Sequence, residues 1–356
     1  MIKLKNVLRT LTIIICLSAG YQGSSQSFGD VLSTGADNAE TYLINYASPA
    51  INAFGNGMSE GWYNTAKPHK ALGFNITISP SFAFIPNSDQ SFQFDANDYT
   101  DLTLEGDDDG ILPTLVGGDA QSGSELVFTG EASYPGIPAV VIPGEQRFDV
   151  PSGIINLKDV PFAGAPAPTY NIGIGVSKGT DLKLRILPPV SAGDFSTNII
   201  GLGVMHDVKQ WIPGVKALPF DLSAFVGSSR MTMKYDIDVD VNNGTSRFEG
   251  DGQAIFKTTA TTVQGIISKK LLFFTPYFAL GFNAVKSTLD VNGNYTYTVP
   301  GNTSDVKDPI SAEFAGAGGL RSTIGAQLKF AVLTIHGAYT LQRYNTFSMG
   351  LGVSLR

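Results

Sequence analysis

The sequence predicts an all-β fold, a transmembrane antiparallel β-barrel of about 12–14 strands with an N-terminal plug or hatch segment. Three observations predict it: strict alternation of apolar and polar residues, a low content of charged residues, and an N-terminus typical of exported proteins. Charged residues make up 15% of the chain and hydrophobic residues 43%. Soluble domains carry about 25% charged residues. A protein surface that faces lipid does not need charged residues, which accounts for their lower content here.

The N-terminus has the three parts of a secretory signal peptide. Lys3, Lys5 and Arg9 precede an apolar run at 11–17, and small and polar residues fill most of 18–27. The apolar run is about half the length of a transmembrane helix. We therefore predict a signal peptide at 1–26, cleaved near Gln26, and export to the outer membrane.

The single cysteine and the net charge limit the chemistry. Cys16 is the only cysteine. It lies inside the apolar run, without the small residues that a lipoprotein signal places before its cysteine, so lipidation is disfavoured. Loss of the signal would leave no disulfide or thiolate site. The formal net charge of −7 argues against a general nucleic-acid partner, because such binding depends on neutralising phosphates.

Alternation along the chain is clearest in the last segment. Apolar residues at 347, 349, 351, 353 and 355 are separated by serine and glycine, which predicts a strand with two different faces. The segments 72–79, 170–177 and 320–330 alternate in the same way. The segment 231–241 also alternates, and it is longer than a typical strand of a soluble protein. Charges on the predicted inner face suit a wet interior: Lys183, Arg185, Lys234 and Asp236. A secreted β-sandwich or solenoid is the alternative that these strands leave open.

Turn spacing predicts the topology of a barrel over 71–356. Short connections near 178–180, 268–270 and 330–331 alternate with longer polar stretches at 242–252 and 300–308, as in outer-membrane barrels. We count about nine strands from Pro168 onward. An even number then requires three or five strands before Pro168, hence 12 or 14. The alternation is broken in 91–160, so strand positions there stay open.

The segment 27–70 shows no membrane-strand pattern. Ala36, Ala39, Tyr42 and Tyr46 have helical spacing, and we expect Pro49 to end this short helix. The following stretch, 51–70, is too rich in glycine for a stable helix. It must lie in the periplasm or inside the barrel as a plug.

Two stretches carry a family resemblance. Residues 52–57 and 62–66 resemble the N-terminal hatch of FadL-type fatty-acid and hydrocarbon transporters, although Asn64-Thr65-Ala66 lacks the proline of their Asn-Pro-Ala element. Residues 203–214 are similar to bacteroidete-type predicted outer-membrane proteins of unknown function, and this second resemblance spans the mature chain. The FadL-type resemblance is confined to the hatch and the general architecture. It implies a monomeric 14-strand barrel that admits hydrophobic solutes by passive diffusion.

Catalytic and metal-binding patterns are weak in this sequence. His336 lies on the polar face of 331–341, where we expect a hydrogen-bonded interior histidine, and His206 precedes a turn. The stretch 107–110 lacks the further ligands of a calcium loop, and the glycines of 316–319 lack a phosphate-binding context. Alternating aspartates at 236, 238 and 240 form either an interior ladder or a soluble strand tip. We predict no catalytic residue, metal site or cofactor, hence no enzyme.

Two function hypotheses follow. The first is a monomeric passive channel for small hydrophobic or amphipathic compounds, surrounded by outer-membrane lipid. The second is a barrel with a sealed lumen that acts as a surface-binding or structural protein, and a general polar porin is disfavoured because the plug would obstruct it. The residues that we expect to bind or gate a solute are Trp62, Tyr63, Asn64, Phe225 and His336.

Overall fold

The computed structural model describes residues 30–31, 33–107, 109–134, 139–142, 144–153, 157, 164–177, 179–242, 247–299, 301–308 and 310–355. The predicted signal peptide at 1–26 lies outside the described residues. Short 3-10 turns occur at Asn87–Asp89, Ala96–Asp98, Lys209–Trp211 and Val215–Ala217. The helix and the strands are α1 (Ala36–Met58), β1 (Phe74–Phe84), β2 (Ser91–Gln93), β3 (Leu102–Glu105), β4 (Ile111–Pro113), β5 (Glu125–Phe128), β6 (Glu131–Ala132), β7 (Val140–Val141), β8 (Gln146–Asp149), β9 (Gly164–Ser177), β10 (Thr180–Ala192), β11 (Phe195–Asp207), β12 (Asp221–Asn242), β13 (Arg247–Ser268), β14 (Phe274–Val299), β15 (Asn302–Lys307), β16 (Ile310–Phe314), β17 (Gly319–Phe330), β18 (Leu333–Leu341) and β19 (Thr346–Leu355).

Ten long strands form a ring in which each pairs antiparallel with both neighbours. The order is β1, β9, β10, β11, β12, β13, β14, β17, β18, β19, and β19 pairs again with β1. The sheet holds 12 strands in all, because β15 and β16 add to the far half of β14 without joining the ring. The fold is thus all-β with a large ring of strands, as the alternation predicts.

The ring has ten strands and not the predicted 12 or 14. The nine ring strands from β9 onward agree with the predicted number, but the prediction of three or five ring strands before Pro168 is wrong. Only β1 precedes them. The short strands β2–β8 instead form small sheets of two or three strands. Their inward side chains, such as Leu112, Leu126 and Phe128, pack with α1 and with Phe314 of β16 in one hydrophobic cluster. These short strands form an irregular cap on the ring. The alternation of 91–160 is broken because strands in such a cap need not be long enough to span a membrane.

The ring has two different ends. The short-turn end carries the start of β1, the end of β19 and the turns after β9, β13 and β17. The long-loop end carries β2–β8 and the connections that contain β15 and β16. The predicted alternation of short and long connections is only partly correct: the stretch 242–252, predicted as a long loop, lies mostly in β13, and the connection at 208–220 makes the short-turn end longer than predicted.

The faces of the ring are the reverse of those in a soluble protein. Leu351 is 64% exposed and Ile324 66%, whereas the neighbouring Thr323 is 2% exposed. Every ring strand presents an exposed apolar residue: Ile76, Ile174, Leu182, Leu202, Val226, Val263, Leu280, Ile324, Ile335 and Leu351. Buried polar residues face inward from most of these strands: Thr77, Asn171, Lys183, Ser229, Thr262, Asn283, Thr323, Thr340 and Ser348. Water is a poor environment for so continuous an apolar band.

The predicted inner-face charges divide into two pairs. Lys183 and Arg185 are buried inside the ring, at 4% and 0% exposure, as predicted. Lys234 and Asp236 are exposed on the outer face of β12, so the prediction is wrong for them. In this half of β12 the inward residues include Met231 and Met233, which pack against Phe54 and Met58 of α1. The alternation continues along the strand, but its apolar set now faces a packed interior rather than lipid.

Helix α1 continues past the predicted break. Pro49 lies inside the helix, which ends only at Met58. A Cβ added at Gly55 would lie 2.3 Å from Val285 Cγ1, and one at Gly57 would lie 2.9 Å from Ala167 Cβ. These glycines let the helix approach the wall of the ring closely, and tertiary packing overrides their poor helix propensity. No helix in the described part of the chain has both the length and the hydropathy that a membrane span requires.

Candidate functional site

Residues 52–69, which we call the inner segment, lie inside the ring. They comprise the last turns of α1 and the irregular chain that leads to β1. Glycines and short side chains let this chain pass close to the wall, as at Gly61, where a Cβ would lie 2.8 Å from Thr169 Oγ1. Hydrogen bonds join the segment to seven ring strands through Asn56–Asn283, Gly57–Ser81, Glu60–Arg321, Gly61–Asn171, Tyr63–Gln264, Ala66–Ser223 and His69–Asp181.

A buried ion pair fixes the centre of the inner segment. Arg321 Nη2 lies 2.5 Å from Glu60 Oε1, and the two side chains are 1% and 5% exposed. Arg321 Nη1 also donates to Ser59 O at 3.3 Å and to Thr262 Oγ1 at 3.1 Å. Burial raises the pKa of the Glu60 carboxyl above its ordinary value, while the guanidinium groups of Arg321 and Arg185 act in the opposite direction. Removing either partner would leave a buried charge without compensation.

Arg185 holds the same stretch from the opposite wall. Its Nη2 donates to Glu60 O at 2.6 Å, its Nη1 donates to Met58 O, and its Nε donates to Asn171 Oδ1 at 2.9 Å. Its Cζ lies 3.9 Å from the centre of the Trp62 ring, which is a cation–π geometry. The guanidinium therefore caps the carbonyls at the end of α1 and positions Trp62.

Three of the sequence-predicted site residues contact one another, and two of them follow Glu60 of the Glu60–Arg321 ion pair closely in the chain. The ring centroids of Trp62 and Phe225 are 5.6 Å apart, and those of Tyr63 and Phe225 are 5.5 Å apart. Tyr277 joins them, 5.8 Å from Tyr63 between ring centroids. The Tyr63 hydroxyl donates to Gln264 Oε1 at 2.6 Å. The aromatic rings are buried by one another, which gives the inner segment an apolar anchor.

His336 and Asn64 occupy different positions around this cluster. His336 is 5% exposed on the inner face of β18, and its Nε2 lies 3.0 Å from Ser79 Oγ. It lines a small cavity together with Trp62, Tyr63 and Arg321, with room for about one water molecule. Trp62 Nε1, Arg321 Nε and His336 Nδ1 have no protein partner in the described structure, so water fits this cavity. Asn64 is buried next to Tyr63 in the chain but is not part of the cavity wall.

A larger cleft of about 400 Å³ opens at the long-loop end. Its wall mixes apolar residues, among them Ile44, Phe92 and Tyr344, with polar ones such as Asn52. The Tyr344 hydroxyl donates to Asp89 Oδ2 at 2.8 Å. Burial, together with the neighbouring carboxylate of Asp89, raises the pKa of the Tyr344 phenol, so this donor stays protonated. The cleft has the size of small-molecule pockets and reaches the start of the inner segment.

The end of the inner segment is fixed by a pair that the sequence analysis did not single out. His69 N donates to Asp181 Oδ1 at 2.7 Å, and His69 Nδ1 lies 2.7 Å from Asp181 Oδ2. Lys183 Nζ lies 3.7 Å from the same carboxylate. The pair lies where the chain leaves the ring interior and enters β1. It therefore ties the last turn of the inner segment to β10.

The other candidate sites have ordinary structural roles where they are described. Asp107 Oδ1 accepts from Gly110 N at 2.7 Å, which is a turn contact, and Asp236 Oδ1 accepts from Gln253 at 2.7 Å. A Cβ at Gly316 would lie 1.5 Å from Val285 O, so the glycine run serves close packing. Asp238 is exposed, and the side chain of residue 240 lies outside the described residues. In the described ranges, no three His, Cys, Asp or Glu side chains are grouped to hold a metal ion.

Comparison with known proteins identifies the family. The family that matches residues 4–355 carries the description "Family of unknown function (DUF6588)". The chain belongs to this family. No curated protein sequence matches it.

Several solved structures resemble the fold distantly. The translocator domain of the autotransporter NalP from Neisseria meningitidis is 10% identical, with 81% of this chain and 90% of that chain covered and a TM-score of 0.28. Ail, the attachment invasion locus protein of Yersinia pestis, is 11% identical over 52% of this chain and 97% of its own, with a TM-score of 0.22. A FadL homologue of Pseudomonas aeruginosa is 12% identical over 85% and 96%, with a TM-score of 0.22. At these TM-scores nothing can be argued from the likeness, and the strand pairing and face polarity described above remain the basis for the fold.

Proposed function

We propose that the protein is an outer-membrane β-barrel that passes small hydrophobic or amphipathic compounds, with the inner segment as its gate. The observation that carries the membrane placement is the reversed polarity of the ring. Exposed apolar residues occupy the outer face of all ten ring strands, and polar residues occupy most of the inner face. In lipid this arrangement buries every apolar side chain of the band and leaves no open strand edge.

The height of the apolar band supports the same placement. On β14 the exposed outer residues run from Phe274 to Phe282, and the charged Lys270 and Lys286 lie beyond its two ends. A tilted strand needs about 9–11 residues to cross the hydrocarbon layer. The run from Phe274 to Phe282 covers nine residues and fits that length, and the two lysines lie four residues beyond its ends, at the level of the headgroups on both sides.

The gate proposal depends on two cavities that the inner segment separates. The cleft at the long-loop end reaches Asn52, and the small polar cavity lies against residues 59–63. Between them, Asn56 Oδ1 accepts from Asn283 Nδ2 at 2.9 Å, and Asn56 Nδ2 donates to Ala317 O at 3.1 Å. A shift of this turn would connect the cleft to the aromatic cluster around Phe225. The resemblance of 52–66 to a FadL-type hatch points in the same direction.

The same proposal includes the predicted cellular context. Export would depend on a signal peptide at 1–26, residues 27–70 would form the plug, and 71–356 the barrel. The protein would act as a monomer in outer-membrane lipid, without a cofactor or a catalytic residue. Trp62, Tyr63 and Phe225 would contact the solute directly, with His336 and Asn64 beside its path.

A sealed barrel with a structural or surface-binding role is the second candidate. The observation in its favour is the buried Glu60–Arg321 pair, together with hydrogen bonds from the inner segment to seven strands. Moving such a segment requires breaking a desolvated ion pair, which is energetically expensive. The two candidates differ in whether the segment moves at all.

A disulfide between the inner segment and the wall would test the gate. A Cβ at Gly57 would lie 2.9 Å from Ala167 Cβ, so a small shift allows the Cβ separation of about 3.5–4.5 Å that a disulfide needs. We expect the Gly57→Cys/Ala167→Cys variant, made in a Cys16→Ser chain, to pass a small naphthalene sulfonate dye into vesicles when reduced. Oxidation should abolish most of this flux, because it fixes the segment to β9.

The two single-cysteine variants are the matched controls, and their flux should not respond to oxidant. Flux equal to that of protein-free vesicles, in wild type and in the reduced variant alike, would favour the sealed barrel. Flux that is present but identical in the oxidised and reduced variant would show that the inner segment is not the gate.

A further inference from the structure

The short-turn end of the ring exposes large apolar side chains in its turns. Leu72 is 88% exposed, Leu272 86% and Trp211 70%. A turn that ends a strand in water is normally built from small polar residues. Apolar side chains this exposed, on an end that continues the apolar band, indicate a non-aqueous neighbour.

The backbone holds two of these leucines in an unfavourable conformation. Leu72 has φ 64° and Leu272 has φ 55°, in the left-handed region that glycine or asparagine normally occupies. The adjacent Phe273 stacks on Phe330 with ring centroids 5.6 Å apart, and Trp211 Nε1 donates to His206 Nε2 at 2.8 Å. The turns are thus held by specific contacts, and the leucines project outward at the expense of backbone strain.

Charge distinguishes this end from the other. Exposed lysines lie among the apolar turns: Lys67, Lys70, Lys216, Lys269 and Lys270. The described carboxylates at this end are few, and one of them, Asp181, is buried against His69. The long-loop end instead exposes acidic residues such as Asp236, Asp251 and Asp305. The molecule therefore has one basic, apolar rim and one acidic rim.

We propose that the short-turn end binds the headgroup layer of an anionic phospholipid surface. Leu72, Trp211 and Leu272 enter the boundary between headgroups and acyl chains, and Lys269 and Lys270 contact the lipid phosphates. Amphipathic surfaces that combine lysine with leucine and tryptophan bind such layers. The inference rests on the membrane placement proposed above, and it further assigns the short-turn end to the phospholipid leaflet and the acidic end to the opposite side.

Lipid-borne quenchers test the apolar part of this surface. In a Cys16→Ser chain, a fluorophore is attached at Leu272→Cys, at Ile324→Cys on the outer band, or at Thr303→Cys on the long-loop end. The labelled proteins are folded into phosphatidylcholine vesicles that contain phosphatidylglycerol and lipids with a nitroxide either near the headgroup or, in a second set of vesicles, near the end of an acyl chain. We expect the Leu272 label to be quenched several-fold more strongly than the Thr303 label.

Substitution of the lysines tests the charged part. We expect Lys269→Gln/Lys270→Gln to reduce by about tenfold the gain in folding equilibrium constant that phosphatidylglycerol gives over pure phosphatidylcholine. The matched variant at the acidic end, Lys234→Gln/Lys307→Gln, should keep that gain. An equal reduction in both variants would overturn the role of the short-turn lysines, because it would reflect net charge alone.

The Ile324 label, measured with the acyl-chain nitroxide because this residue lies near the middle of the apolar band, separates the two proposals. A Leu272 label as weakly quenched as the Thr303 label, beside a strongly quenched Ile324 label, would overturn the headgroup site and leave the membrane barrel intact. Weak quenching at Ile324 as well would contradict the membrane placement itself.

Discussion

Glu60→Gln is expected to lower the free energy of unfolding in phospholipid vesicles by about 3–5 kcal/mol, because it leaves the Arg321 guanidinium buried without its counter-charge. Glutamine keeps the size of the side chain and its carbonyl oxygen, so the loss reports charge rather than packing. Arg185, which caps Glu60 O at 2.6 Å, adds a second positive charge to the same region. Denaturant unfolding of the vesicle-embedded protein measures the effect.

An exposed ion pair provides the control. Glu125→Gln removes one of the three carboxylate partners of Arg147 on the surface, where the Glu125 and Arg147 side chains are 39% and 43% exposed, and should leave the stability almost unchanged. The double variant Glu60→Gln/Arg321→Gln should recover part of the lost stability, because both buried charges are then absent. If Glu60→Gln and Glu125→Gln were equally stable, the ion pair would not hold the inner segment.

Ile324→Arg is expected to destabilise the membrane-embedded protein by about 2–4 kcal/mol, because it places a charge on the lipid-facing side near the middle of the bilayer. Ile324 is 66% exposed on the outer face of β17, so the larger side chain meets no steric obstacle. Unfolding in vesicles, compared with wild type at the same lipid-to-protein ratio, measures the change.

The matched control is Thr303→Arg, at an exposed position of β15 on the long-loop end. There the arginine stays in water, and we expect a change of less than about 0.5 kcal/mol. Thr323→Arg, on the opposite face of the same strand as Ile324, is unsuitable because Thr323 is buried and hydrogen-bonded to Thr340. Equal stability of the Ile324 and Thr303 variants would contradict the assignment of the outer face to lipid.

Alternation predicted the ring strands because the two faces meet opposite environments at every second residue. It placed Lys183 and Arg185 correctly on the inner face. It failed for Lys234 and Asp236, because β12 extends beyond the apolar band and its packed face there is the inner one. Periodicity gives two faces but does not say which of them meets protein, lipid or water.

Only some of the residues at the centre of the candidate site could be predicted from the sequence. Trp62 and Tyr63 attract attention as large aromatics in a glycine-rich stretch, but Glu60 does not follow any motif. A charge argument would have found it, because Glu60 is the only carboxylate between Glu40 and Asp89 and the inward arginines need a counter-charge. The cap formed by β2–β8 could not be predicted from the sequence, because its short strands have no regular period.

Spin labels placed singly at each residue of 278–283 on β14, in vesicles, test most directly whether the outer face of the ring meets lipid. Oxygen concentrates in the hydrocarbon layer, whereas a nickel chelate stays in water, so their relative access to each label distinguishes the two environments. We predict that labels at Phe278, Leu280 and Phe282 collide with oxygen and are protected from nickel, while labels at 279, 281 and 283 show low access to oxygen. Ready access of nickel to the labels at Phe278, Leu280 and Phe282 would contradict the account, because the apolar band would then face water.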